Sequence, residues 1–385
     1  MFRHLPPTAA PLLMPDWRRL EHANADFKSA LEAYLGAHCF LASSGRTALY
    51  VLLQTLAAAH PARTEVVMPA YTCPAVAKVA IDVGLRPLFI DISPQTFAFD
   101  MAQLAENVTA QTLAVICVHP FGIPQDIGEV MQLARLAGAL VIEDAAQAMG
   151  ARWDGQPVGT HGDFGLFSLG PGKALSTGGG GVLCVNDAAF VQPTADAWRQ
   201  LKPASQLASG AAWLRYLLLT MAFHPRIWWW AARLGVQRVG NHEASWGYRL
   251  TELTAVQSAI GLAGLAHLDK VNEGRRENGR RFWAALQGVP GLQTLPIAET
   301  AVPIFLRLPV IIGDTSRSNK LFQTLWQTNI GVGRMYGRTL PQLFSQFAAM
   351  PTPGADHLAR CLLTLPTHHF MTQSESERIL DIFHK

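Results

Sequence analysis

Charged residues are scarce in this chain, and its cysteines are few and scattered. Asp, Glu, Lys and Arg make up 15% of the 385 residues, and the formal net charge is +3. This balance does not favour nucleic acid as a partner, and no Lys/Arg-rich stripe with interleaved aromatic residues occurs. The five cysteines form no C-x-x-C pair, so we predict neither a metal site nor a disulfide framework. We therefore expect a reducing, cytoplasmic setting.

Long apolar runs are also missing, although 49% of the residues are hydrophobic. A bilayer span needs roughly 18–20 apolar residues, and the Trp-rich segment 211–236 is interrupted by Arg215 and by His-Pro-Arg at 224–226. Two interpretations of this segment stay open. It is either a helical hairpin packed on the core or on a partner subunit, or a peripheral membrane anchor with arginines facing phosphates. The proline-broken N-terminus does not read as a signal peptide.

Short apolar runs alternate with helical patterns between residues 65 and 186. Runs such as EVVMPA, LAVICVH and ALVIEDAA are nearly continuous in Val, Ile and Leu, which predicts a mostly parallel sheet covered by helices on both faces. We expect an α/β protein with a three-layer α/β/α large domain and a smaller α+β domain. The predicted units are an N-terminal arm at 1–24, the large domain at 25–249 with a helical insert at 205–242, and the small domain at 250–385.

Two helical patterns flank this region. Residues 43–60 predict an amphipathic helix, with Ser43 or Ser44 as its cap. Residues 250–287 form one long amphipathic pattern, which predicts a long helix at the start of the small domain.

A single lysine, Lys173, stands in the glycine-rich stretch FSLGPGKALSTGGGG. The stretch does not match a phosphate-binding P-loop, because Phe167 and Ala174 stand at two of the four positions where that motif requires other residues. A solvated loop charge is the plain alternative. The third interpretation, a nucleophile that binds pyridoxal phosphate, requires a carboxylate for the pyridine nitrogen and a phosphate cup at a helix start. Asp144 at the end of an apolar strand and the SSGR turn at 43–46 fit these requirements.

Several stretches follow one another in the order found in a known family. They are SSGRTALYVLL, VVMPAYTCPAVAKVAIDVGLRPLFIDI, VICVHPFGIPQDIGEV, VIEDAAQAMGA, FSLGPGKALSTGGGG and YRLTELTAVQSAIG. Over about residues 25–385 the chain resembles the DegT/StrS-type sugar aminotransferases, which are fold-type-I enzymes dependent on pyridoxal phosphate. The resemblance implies that Lys173 is the Schiff-base lysine and moves the substrate proton. It implies that Asp144 pairs with the pyridine nitrogen and that Gln147 lies near the phenolic oxygen.

The resemblance also implies a phosphate site shared between two subunits. Ser44, Ser168 and the amides of Gly45 and Arg46 would bind the phosphate, and Arg249 would complete the site of a neighbouring subunit. We therefore expect a homodimer with a shared active site.

This sequence departs from the family pattern at four positions. The family has threonine at Arg46, asparagine at Gly247, an aromatic residue at Cys73 and an acid at Gly179. We hypothesise that the Arg46 guanidinium replaces the missing phosphate contacts, the alternative being that Arg46 points to solvent and only its N–H binds. Either the Cys73 sulfur covers the cofactor ring, or nearby Tyr71 stacks on it.

Three further side chains receive weaker assignments. Tyr336 is a candidate for the substrate pocket. Glu143 is interpreted as a strand-end charge, and His119 as structural rather than catalytic.

The implied function is transfer of an amino group from glutamate or glutamine to a keto-sugar. The sugar is expected to be nucleotide-linked, and the pathway to be cell-surface polysaccharide or glycan biosynthesis. The alternatives are an aminotransferase or dehydratase acting on a non-nucleotide or lipid-linked ketone, and a scaffold that has lost turnover.

Overall fold

The computed structural model describes residues 2–234 and 247–384. Strands β1 to β13 are, in chain order, His38–Ala42, Glu65–Pro69, Arg86–Ile90, Thr112–Val118, Leu140–Asp144, Arg152–Trp153, Gln156–Pro157, Phe164–Ser168, Gly181–Val185, Leu292–Thr294, Ala301–Val302, Arg307–Ile312 and Leu362–Pro366. Helices α1 to α14 are Ala23–Leu35, Gly45–Ala59, Pro74–Val83, Met101–Asn107, Gly128–Ala137, Val191–Trp198, Gln206–Ala222, Pro225–Arg233, Ala255–Leu265, Leu268–Leu286, Thr315–Gln327, Leu340–Leu343, Pro353–Cys361 and Gln373–His384.

A seven-stranded sheet forms the centre of the molecule, in the order β1-β9-β8-β5-β4-β2-β3. Neighbouring strands from β8 to β3 are parallel, and β9 runs antiparallel to both β8 and β1. Strands β2 and β9 are buried along their whole length, as expected when both faces of a sheet are covered. The predicted mixed α/β fold with a large, mostly parallel sheet is confirmed.

The C-terminal part contains a separate antiparallel sheet of β10, β12 and β13. Helices α10, α11 and α13 pack on it. A short strand, β11, pairs with β6 of the larger part and ties the two together. The domain boundary near Arg249 stays a prediction.

The long helix predicted over 250–287 is wrong in one respect: it is two helices, α9 and α10, separated at Ala266 and His267. Their packing partners explain the break. Helix α9 packs on α1, where Phe27 fills the space beside Gly261, whereas α10 packs on α14 and β12. One straight helix cannot contact both sets of partners, and the amphipathic pattern does not record the change of direction.

The Trp-rich segment forms a pair of helices, α7 and α8, as the first of the two interpretations expects. Tyr216, Trp228 and Trp229 are buried. Among the residues that the structure describes, no helix is both long enough and apolar enough to cross a membrane. The end of the segment, from residue 235, lies outside the described residues.

Candidate active site

A cavity of about 280 Å³ opens where the carboxyl ends of β2, β4, β5 and β8 meet the start of α2. Parallel sheets commonly bind ligands at this edge. The following predicted residues line the cavity: Ser44, Gly45, Arg46, Cys73, Asp144, Gln147, Ser168, Lys173 and Tyr336. The fold thus brings together side chains that lie up to 292 residues apart in the sequence.

The start of α2 forms one wall of the cavity. Ser44 is its cap, since the side-chain oxygen accepts the N–H of Thr47 at 3.1 Å, which decides between Ser43 and Ser44. The first amides of a helix have no partners within it and lie at the positive end of its dipole, so they attract anions. Gly181 lets the sheet approach this turn, because a Cβ there would collide with the backbone nitrogen of Gly45.

The loop that bears Lys173 is fixed from two sides. Gly172 has a φ of 73°, and a Cβ there would lie 2.7 Å from the Thr8 methyl group, so glycine is required on both counts. On the other side of the lysine, the buried Arg275 donates from Nη1 to the Ala174 carbonyl at 3.2 Å. The lysine is therefore held by a rigid loop rather than a flexible one.

Lys173 and Asp144 form an electrostatic pair inside the cavity. Burial lowers the pKa of Lys173, and the charge of Asp144 partly opposes that effect. Burial raises the pKa of Asp144, while the N–H of Ala146, 3.1 Å from Oδ1, and the charge of Lys173 act against the rise. A lysine with a lowered pKa is an effective nucleophile near neutral pH.

Glu143 points away from Asp144 and is more than a strand-end charge. Its fully buried carboxylate accepts hydrogen bonds from His119 Nε2 at 2.9 Å and from the N–H groups of Gly159, His161 and Gly162 at 2.6–2.8 Å. His119 Nδ1 accepts the N–H of Gln125 at 3.0 Å. The His119 ring lines the cavity but has both nitrogens engaged, in agreement with a structural role.

Cys73 and Tyr71 were alternatives for covering the cofactor ring, and only Cys73 lines the cavity. Tyr71 lies behind Tyr336: the two rings meet edge to face at 5.3 Å, and the Tyr71 hydroxyl accepts the N–H of Tyr336 at 3.2 Å. The position of Tyr71 behind Tyr336 therefore favours Cys73 as the residue that covers the ring, which stays a prediction. Burial raises the pKa of the Cys73 thiol, so it remains a neutral, polarizable group.

Arg215 was missed as a site residue, although it lines the cavity from helix α7. Its Nη1 lies 4.0 Å from the position that a Cβ on Gly179 would occupy. The glycine that stands where the family has an acid thus lies beside a cation. No local signal near Arg215 places it there, because the approach of α7 to the glycine run is a long-range contact.

Arg249 does not line this cavity, and its side chain is exposed. Its carbonyl accepts hydrogen bonds from Ser43 Oγ at 2.7 Å and Thr47 Oγ1 at 2.9 Å, beside the α2 turn. The backbone of this residue therefore supports the site of its own chain, and its role towards a neighbouring subunit stays a prediction.

Comparison with known proteins matches residues 8–384 to the model of the DegT/DnrJ/EryC1/StrS aminotransferase family. The chain belongs to this family. It is 29% identical over 354 residues to the UDP-N-acetyl-3-dehydro-α-D-glucosamine 3-aminotransferase of Acidithiobacillus ferrooxidans, covering 91% of this chain and 84% of that one. It is 27% identical over 362 residues to the GDP-perosamine synthase of Caulobacter vibrioides, covering 92% and 87%.

The fold agrees with the same family. The sugar aminotransferase CalS13 of Micromonospora echinospora superposes with a TM-score of 0.79 at 23% identity, over 99% of both chains. The protein is thus an aminotransferase of the DegT/DnrJ/EryC1/StrS family, and membership implies pyridoxal phosphate as cofactor.

The residues in the cavity fit that cofactor. Gln147 Oε1 is buried without a hydrogen-bond partner among the described residues, and a polar atom in that state calls for a ligand. The start of α2 offers amides to a phosphate, and Asp144 offers a buried carboxylate to a ring N–H.

Proposed function

We propose that the protein transfers an amino group from glutamate or glutamine to the keto group of a nucleotide-linked sugar, in the synthesis of a cell-surface polysaccharide or glycan. The observation that carries this proposal is the shared cavity of Lys173 and Asp144 at the start of α2. The two relatives are named for activities on UDP- and GDP-linked sugars, which supports a nucleotide sugar as acceptor.

Each cavity residue has a proposed task towards pyridoxal phosphate. Ser168 and the amides of Gly45 and Arg46 bind the phosphate, Asp144 holds the pyridine nitrogen protonated, and Cys73 covers the ring. When bound, the cofactor supplies an electron sink for the pair left behind as a proton leaves the substrate carbon. The Arg46 guanidinium, which the family lacks, adds a charge-assisted contact to the phosphate.

Lys173 is the residue that moves the proton. Burial lowers the pKa of its amine and so favours the neutral form, in which Nζ can accept a proton from a carbon atom and return it. Tyr336 lines the same cavity and is proposed to contact the acceptor sugar. The product of the donor leaves before the acceptor binds, so we expect ping-pong kinetics.

The visible spectrum of the purified protein with pyridoxal phosphate tests this function. We expect a yellow protein whose band is bleached by glutamate and restored by a keto-sugar nucleotide. A Lys173→Ala protein, purified in parallel, should show no bleaching. A wild-type protein that stays colourless with added cofactor would contradict every enzymatic interpretation, and one that bleaches but accepts no keto-sugar would contradict the acceptor.

The exposed leucine face of α7 supports a homodimer. Leu214, Leu218 and Met221 are 50–59% exposed on one side of the helix, and Arg215 between them lines the cavity. We propose that a second copy of the chain covers this face and brings its Arg249 to the phosphate. The apolar face adjoins the mouth of the cavity, so one contact would both bury it and complete the site.

Light scattering of wild-type protein and a Leu214→Gln/Leu218→Gln variant tests the interface. We expect a dimer that the variant weakens, with loss of bound cofactor. A wild-type protein that is monomeric would contradict the dimer. If the wild type also sediments with anionic liposomes while the variant does not, the peripheral membrane contact predicted for 211–236 is favoured instead. A cytoplasmic setting remains part of this proposal.

A further inference from the structure

Arg215 reaches the cavity from helix α7, which lies outside the central sheet and its loops. Its place is fixed by the next residue, Tyr216, which is 1% exposed and whose hydroxyl accepts the N–H of Leu13 at 2.7 Å. A Cβ on Gly178 would lie 3.0 Å from the Cα of Tyr216, so the backbone of α7 packs directly against the glycine run. This contact holds the Arg215 side chain at the mouth of the cavity, where it is exposed.

The guanidinium lies on the side of the cavity where α2 begins. Its Nη1 is 4.0 Å from the position that a Cβ on Gly179 would occupy. The next glycine, Gly180, pairs with Ser44, the cap of α2, and both residues line the cavity. The first amides of α2 attract anions. Arg215 thus adds a full positive charge to the end of the cavity that already favours a negative group.

The cavity offers no carboxylate to balance Arg215. Among the described residues that line it, Asp144 is the only carboxylate, and its charge acts on Lys173. In the described part of the chain, Arg215 is not among the arginines that form ion pairs. A cation at the mouth of a cavity without a counter-charge attracts an anionic ligand.

Gly179 is the reason that this counter-charge is missing. The family pattern has an acid here, and its carboxylate would start from a Cβ 4.0 Å from Nη1 of Arg215, within reach of an ion pair. The backbone does not require glycine: φ is 75° at Gly178 and 121° at Gly180, but Gly179 lies outside the left-handed region. Besides Arg215, a Cβ there would meet only the end of the Gln257 side chain, at 3.2 Å, among the described residues. The glycine leaves the guanidinium available to a ligand.

We propose that Arg215 binds a phosphate group beside the start of α2. This rests on the proposed function, in which two ligands carry such a group: pyridoxal phosphate has a phosphate monoester, and the nucleotide-linked acceptor has a diphosphate. A guanidinium donates two parallel N–H groups to the oxygens of either one. A bound phosphate takes the place that the family's acid would take beside Arg215.

Matched ligands with and without phosphate test the proposal. In the cofactor-free protein, fluorescence titration compares pyridoxal phosphate with pyridoxal, which lacks the phosphate. In the cofactor-loaded protein, calorimetry compares UDP and GDP with uridine and guanosine. We expect Arg215→Gln to weaken a phosphate ligand roughly tenfold and to leave its phosphate-free partner within about twofold. Arg215→Lys should recover part of the loss, because it keeps the charge but not the two-pronged geometry.

The pair of ligands that responds identifies the phosphate. A loss for pyridoxal phosphate assigns Arg215 to the cofactor, and a loss for UDP or GDP alone assigns it to the acceptor. Arg226→Gln is the matched control, because Arg226 is exposed on α8 and does not line the cavity; it should weaken none of these ligands. Arg215→Gln should melt within about 1 °C of wild type, since an exposed side chain is replaced.

Two substitutions at Gly179 test the role of charge. Gly179→Glu supplies the missing counter-charge and should weaken the phosphate ligand, whereas Gly179→Gln, of the same shape but neutral, should weaken it less. The difference between the two should become smaller in the Arg215→Gln background, because only the ion pair with Arg215 is lost there. Equal affinities of Gly179→Glu and Gly179→Gln in the presence of Arg215 would contradict the proposal.

The proposal is also overturned if folded Arg215→Gln binds every phosphate ligand as wild type does. The same conclusion follows if it weakens each phosphate ligand and its phosphate-free partner by the same factor, since the phosphate is then not what Arg215 binds. A wild-type protein that binds no pyridoxal phosphate would overturn the proposed function instead.

Discussion

Replacing Glu143 by glutamine should destabilise the protein, because every group that contacts its carboxylate is a donor. Oε1 accepts the N–H groups of His161 and Gly162, and Oε2 accepts the N–H of Gly159 and Nε2 of His119. Glutamine has the same shape, but whichever way the amide lies, its NH₂ group faces two donors in a fully buried site.

The lost contacts set the size of the effect. Removing one partner of a buried charged pair costs about 3–5 kcal/mol. The loss of two hydrogen bonds to a charged group, at about 1.5–3 kcal/mol each, is of the same size, so we expect a cost of about 3–5 kcal/mol. Unfolding entropy averages about 2.1 cal/mol/K per residue, so across a chain of this length 1 kcal/mol corresponds to about 1.2 °C. The melting temperature should therefore fall by about 4–6 °C at pH 7.

The pH dependence gives the effect a second signature. Burial alone would raise the pKa of Glu143, but the bonds from His119, His161 and Gly162 outweigh it and hold the pKa well below its usual range. A depressed folded-state pKa means that the stabilisation is complete above the unfolded-state pKa, about 4.3, and is lost as the pH falls. The difference in melting temperature between wild type and Glu143→Gln should thus become smaller below about pH 4.

Differential scanning calorimetry at pH 7 and at successive steps below pH 4.5 measures both signatures. Glu273→Gln is the matched control, because Glu273 makes an exposed ion pair with Arg276 at 2.8 Å and should shift the melting temperature by about 1 °C or less. The reasoning fails if Glu143→Gln melts within 1 °C of wild type at pH 7, or if the difference between their melting temperatures does not change on acidification.

Three further substitutions test the site. Arg46→Ala should raise the Kd for pyridoxal phosphate roughly 10- to 100-fold in fluorescence titration, and a change below threefold would show that only the backbone amide binds. Gly172→Ala should lower the melting temperature and the cofactor occupancy, because φ is 73° and Thr8 fills the space beside the glycine. In the control Gly210→Ala, where nothing lies within 4 Å of the new methyl group, the substitution should be neutral or stabilising. Equal melting temperatures of the two variants would contradict the strained turn. Tyr336→Phe should raise the KM for the acceptor about tenfold, and the increase should be the same at pH 7 and at pH 9, because burial holds the pKa of Tyr336 well above its usual range. A smaller increase at pH 9 than at pH 7 would mean that the hydroxyl ionises in this range.

The part of the site that the sequence predicts consists of residues at the ends of strands and at the start of a helix, because the local sequence marks these places. Asp144 ends a buried strand and Ser168 ends another, so the parallel sheet brings them to one edge beside the α2 turn. Arg215 follows no such rule. It lines the cavity because helix α7 packs there from a distant part of the chain, and a lone arginine in a sequence gives no sign of which site it will approach.

The helix break at Ala266 has the same origin. Amphipathic periodicity reports that one face is buried but not which element buries it, so two helices with different partners read as one. The choice between Cys73 and Tyr71 likewise depended on the contact of Tyr71 with Tyr336, a residue 265 positions further along the chain.

Borohydride reduction of the cofactor-loaded protein, followed by peptide mass mapping, tests the central claim most directly. Reduction fixes pyridoxal phosphate to the amine that binds it. Lys173 lies in a rigid loop beside Asp144, and its amine is the one whose pKa burial lowers within the cavity, so we expect the label on the peptide that contains Lys173 and on no other. A label on a different lysine, or a protein that binds cofactor and remains unlabelled, would contradict the account.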